Sequence, residues 1–84
     1  MDDFLNFFEQ KAKYKPMHLE ITYNKTTDWS IFVYRKGMAS QYPDSVKNGL
    51  DAVMVDVSDC DMALAFAKAH VALKEWLIAN ERGY

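Results

Sequence analysis

Between Ser58 and Arg82 there is neither glycine nor proline, and this uninterrupted run constrains the fold more than any other stretch. Ser58 to Asp61 has the spacing of a capping box, in which the Ser58 hydroxyl accepts from the backbone N–H near Asp61 and Asp61 reaches back. A helix of about 20 residues is expected to follow and to stop at Gly83. At about 100° per residue, Met62, Phe66, Ala69, His70, Leu73 and Leu77 form one stripe, with Asp61, Lys68, Glu75 and Arg82 roughly opposite. A second apolar line, Leu64, Val71 and Ile78, recurs every seven residues with Ala67 between, well away from the first. One helix laid on one sheet hides only one stripe. The second line therefore needs another cover. An N-terminal helix is the favoured candidate, and a second copy of the chain is the alternative.

Upstream, residues 2–14 are expected to be helical, with Phe4, Leu5, Phe8 and Ala12 gathered on one face and Phe7 covering a core edge. Asp2 and Asp3 suit the N-terminus of such a helix and Lys11, Lys13 and Lys15 its other end. Pro16 stops it. Residues 17–24 alternate: Met17, Leu19, Ile21 and Tyr23 share one face, and His18, Glu20, Thr22 and Asn24 the other. A polar turn leads to a second strand, 29–36, that is apolar on both faces. Trp29, Ile31 and Val33 point one way and Phe32 and Tyr34 the other, which suits a central strand. Residues 37–51 read as a loop with local turn, either a short helical turn at Pro43-Asp44-Ser45 or a tight turn at Asn48-Gly49. Residues 52–57 form a third strand, with Val53, Val55 and Val57 toward the core and Met54 and Asp56 on the back.

The predicted fold is a single α+β domain over residues 1–84. A three-stranded antiparallel sheet carries N- and C-terminal helices packed on one face, in the order α-β-β-β-α. The chain has 84 residues, which is one domain's worth. With 50% hydrophobic residues it is rich enough to fold. A chain this short conceals a limited fraction of its apolar surface, so some is left for a partner.

The net charge of −2 carries no footprint for duplex nucleic acid. The single cysteine, Cys60, fits a reducing compartment. The acidic N-terminus lacks the features of a secretory signal, and no apolar run reaches the ~20 residues a membrane span needs. A cytoplasmic protein, with no membrane association, is the expectation.

The α-β-β-β-α order over residues 2–82 resembles the double-stranded-RNA-binding domain. That family grips phosphates through a lysine-rich start to its last helix. Here that start is Ser58-Asp59-Cys60-Asp61, which repels phosphate. The resemblance therefore implies the topology and not the RNA function. The run Tyr23-Asn24-Lys25-Thr26-Thr27-Asp28-Trp29 and the tail from Ala65 to Leu77 resemble small bacteriophage and prophage proteins. That likeness implies a phage or prophage origin and names no mechanism.

Candidate chemistry is sparse. Asp56, Asp59 and Asp61 could hold a hard cation, but no calcium-loop spacing accompanies them, and a strand end with helix capping accounts for all three. Cys60 at a helix N-terminus could be a nucleophile. It needs a base, and His70 lies ten residues, nearly three turns, further along. Two histidines and one cysteine make a poor zinc set. No catalytic residue, metal or cofactor is expected.

The sequence points instead to a non-enzymatic protein-binding module. Its surfaces would be Phe32, Tyr34 and Met54 on the sheet and Leu64, Val71 and Ile78 on the last helix. The alternative is a nucleic-acid-binding module using Lys11, Lys13, Lys15, Arg35 and Lys36.

Overall fold

The computed structural model describes residues 2–13, 17–25, 28–46 and 49–83. The elements are α1 (Asp2–Ala12), β1 (His18–Asn24), β2 (Asp28–Arg35), a 3-10 turn at Pro43–Ser45, β3 (Ala52–Asp59) and α2 (Met62–Glu81). The strands form one antiparallel sheet in the order β1-β2-β3, so the strand that is apolar on both faces is the central one. The α+β architecture with α-β-β-β-α order is the one expected.

The core lies between one sheet face and the helices. Ile31, Val33 and Val55 from the sheet meet Phe66, Ala69, Leu73 and Leu77 from α2 and Phe4 from α1. Burying each large aliphatic or aromatic side chain contributes roughly 1.5–3 kcal/mol. Phe4 reaches Phe66 with ring centroids 5.7 Å apart.

Three expectations are corrected. In α1, Leu5, expected on the inward face, turns outward, while Phe7 covers a core edge as expected, against His70 with ring centroids 5.1 Å apart. Among the described residues the backbone of α1 neighbours α2 alone and no strand. Its inward face is therefore set by α2 rather than by the sheet. The stop at Pro16 and the position of Lys15 lie outside the described residues.

In β3, Val55 pairs with Val33 but Val53 pairs with Tyr34, so Met54 is an extra residue in the ladder. This β-bulge breaks the alternation that the sequence implied. Met54, expected on the sheet's back, is 5% exposed and belongs to the core, while Val53 moves into register with Tyr34. Met54 is thereby removed from any partner-binding surface on the back of the sheet.

The start of α2 is the third correction. β3 runs on through Ser58 to Asp59, and the N-cap is Asp61, whose Oδ1 accepts from the Leu64 amide at 3.1 Å. Asp59 in turn accepts from the Asp61 amide at 2.9 Å. The helix ends as predicted: Arg82 adopts the left-handed conformation and the Gly83 amide donates to the Leu77 carbonyl at 3.1 Å.

The connection from β2 to β3 folds over the end of the helix layer. The Gly37 amide donates to Asp51 Oδ1 at 2.7 Å, and the Ala39 amide to the Leu50 carbonyl at 2.9 Å, closing the loop at its neck. Its short turn brings Tyr42 and Ser45 onto Trp76 of α2, with Tyr42 and Trp76 ring centroids 5.0 Å apart.

Candidate functional site

Among the described residues, the outer face of α2 carries three exposed aliphatic side chains on one element. Leu64, Val71 and Ile78 are 55%, 57% and 57% exposed. The cover expected from the N-terminal helix is absent. α1 packs against the flank of α2 that carries Phe66 and His70, which turns it away from this line. Three branched aliphatic side chains thus stand in water on the most regular element of the fold.

Beside this line lies a charged one. Asp61, Lys68, Glu75 and Arg82 repeat at seven-residue spacing and alternate in sign. Lys68 and Glu75 lie within α2, where a seven-residue step drifts only about 20°, so this pair runs nearly parallel to the axis, while Asp61 and Arg82 are the N- and C-cap residues at its two ends. Lys68 bonds Asp59 at 2.7 Å while its side chain stays 53% exposed. That bond, with the one from the Asp61 amide, holds the Asp59 carboxyl below the usual carboxylate range. A shallow recess of about 380 Å³ lies across the charged line, lined by Ala67, Lys68, Val71, Ala72 and Glu75.

The back of the sheet is the second surface. Phe32 and Tyr34 are half-buried, but each is already engaged within the chain. Tyr34 stacks on His18 with centroids 5.2 Å apart and planes 18° from parallel. It lies 5.1 Å from Phe32, and its hydroxyl donates to Glu20 at 3.4 Å. The loop meets the helix side at Trp76, so the rings of this face are covered mainly by one another.

A surface that the sequence did not reveal lies at the far end of β1. Ile21 and Tyr23 fall on the helix side by alternation, yet both are exposed. The alternation was correct; the reach of the helices was not readable from it.

Of the cationic set proposed for nucleic acid, Lys15 lies outside the described residues and Arg35 is withdrawn from the surface. Arg35 is 2% exposed and sits between the rings of Tyr42 and Trp76, its guanidinium carbon 5.3 and 5.0 Å from their centroids. It pairs with Glu81 and donates to the Tyr42 hydroxyl at 2.7 Å. Burial pushes its pKa down, and Tyr42 opposes the shift. A guanidinium closed in this way cannot reach a phosphate. The Lys11 ammonium lies 5.4 Å above the Phe7 ring, while Lys13 and Lys36 stand exposed at separate ends of α1 and β2.

Of the candidate metal carboxylates, Asp59 is bonded to Lys68 and Asp61 caps α2. No group of three or more His, Cys, Asp or Glu side chains among the described residues is placed to hold a metal ion. Cys60 is exposed. A further groove of about 520 Å³ between β3 and α2 has Met54 and Trp76 in its lining, with Asp44, Asp56 and Glu75. No helix among the described residues is long and apolar enough to cross a membrane. Comparison with protein-family models, with curated proteins and with solved structures finds no match.

Proposed function

We infer that this protein is a small non-enzymatic interaction module whose docking surface is the outer face of α2. The carrying observation is that Leu64, Val71 and Ile78 each remain more than half exposed on a helix whose opposite face is fully used in the core. Single exposed aliphatic residues are ordinary; a contiguous line of them marks a contact surface. The alternating charges beside the line suit a protein surface that presents both signs. They suit neither a polyanion nor an anionic membrane, each of which would select a uniformly basic rim.

Phe32 and Tyr34 stand second to α2 in this reading, because their rings already spend much of their area on His18, Glu20 and one another.

The test compares proteins retained from a lysate by the immobilised wild-type chain, by Val71→Glu and by Lys13→Ala, with each retained species identified by mass. A species held by wild type and Lys13→Ala and lost by Val71→Glu supports the reading. Equal retention by all three, with Val71→Glu fully folded, contradicts it.

A further inference from the structure

We propose that the occupant of the α2 outer face is a second copy of this chain, with the two α2 helices antiparallel. This rests on the reading of that face as a docking surface and names what docks there.

The charge pattern is self-complementary in one orientation only. Place a two-fold axis at right angles to α2, between Val71 and Ala72. Lys68 is then level with the partner's Glu75, and the symmetry repeats the pairing. Lys68 and Glu75 lie on one flank of the apolar line, and in an antiparallel pair these flanks face each other. A parallel pair instead sets each charge level with its own copy. Rim pairs of this kind fix orientation more than they add affinity.

In an antiparallel pair like flank meets like flank, so near the axis the partner's Val71 packs against Val71 on the apolar line itself. Leu64 then lies beside the partner's Ile78, and the small side chain of Ala67, between Leu64 and Val71, lets the helices approach closely. A single helix face of 20 residues, about 30 Å long, buries less than the roughly 800 Å² per partner of standard interfaces. The dimer is therefore concentration-dependent and exchanges quickly.

Cysteine cross-linking in a Cys60→Ser background tests the orientation. The antiparallel pair brings position 64 of one copy to position 78 of the other and holds the two copies of position 64 about 22 Å apart along the helix axis. A mixture of Leu64→Cys and Ile78→Cys chains should form the mixed disulfide at least about tenfold faster than Leu64→Cys alone, with the advantage abolished when Val71→Glu is added. Rapid Leu64→Cys homodimers would overturn the antiparallel arrangement. Sedimentation as a monomer up to about 1 mM would overturn self-docking altogether. Neither result bears on whether Val71→Glu loses a different protein from the lysate comparison, so the two readings fail separately.

Discussion

The indole Nε1 of Trp76 donates to the Ser45 hydroxyl at 2.7 Å, joining residues 31 positions apart in the chain. Both partners are buried. The bond fixes the connection between β2 and β3 to the C-terminal half of α2. Ser45→Ala leaves a buried donor without a partner, which costs about 1–3 kcal/mol. Chemical denaturation should show a loss in that range with an unchanged denaturant slope. An unaltered midpoint would mean that the loop is not held through this bond.

Arg35 anchors the same region. Its guanidinium is enclosed by Tyr42, Trp76 and Glu81. Removing one member of a buried pair strands the other, so Arg35→Met should cost about 3–5 kcal/mol, a large part of the stability of a domain this size. Arg35→Met with Glu81→Leu should recover part of that loss, because no unpaired charge remains. Thermal or denaturant melts of the two variants check the order. A double variant less stable than the single one would contradict it.

His70 makes folding sensitive to mild acid. It faces α1 from α2, beside the rings of Phe4 and Phe7, and its buried Nε2 has no hydrogen-bond partner. Burial, and then Lys74, lower its pKa, while Asp3 opposes them. A histidine whose folded pKa lies below its unfolded value of about 6.5 takes up its proton more readily in the unfolded chain. The contribution of His70 is therefore constant above that pH and is lost as the pH drops from about 6.5 toward the folded value. His70→Leu should remove this component. The loss from Asp59, also depressed in the fold, begins below the ordinary carboxylate range of about 3.9 and stays separate. Denaturation midpoints between about pH 7 and 5 check the prediction; an identical fall in wild type and His70→Leu would contradict it.

Periodicity carried the element order, because a 2-residue or 3.6-residue repeat is a local property. It placed Ile31, Val33, Phe66, Leu73 and Leu77 in the core, and Phe32 and Tyr34 on the back of β2. It failed where a neighbour decides. Met54 is inside because of a bulge opposite the Val33–Tyr34 step, and a bulge shifts register without leaving a mark in composition. Arg35 reads as a surface cation beside Lys36, yet Tyr42 and Trp76 close over it from distant parts of the chain. Leu64, Val71 and Ile78 were legible as a separate line. What remained hidden was the side from which α1 approaches α2, and so whether the line would be covered.

Because that line contributes little to the fold, replacing Leu64, Val71 and Ile78 together by Gln should change monomer stability by no more than about 1 kcal/mol, as exposed positions do. A loss of several kcal/mol in dilute solution would show that these side chains are packed within the protomer.

The claim that the outer face of α2 is where this protein meets its partner, a second copy, is tested most directly by methyl NMR spectra recorded from about 0.05 to 1 mM. The methyl signals of Leu64, Val71 and Ile78 should move with concentration, while those of Val33, Val55 and Leu73 in the core stay fixed. Signals that are all independent of concentration, or that move at Ile21 and Val53 instead, would contradict it.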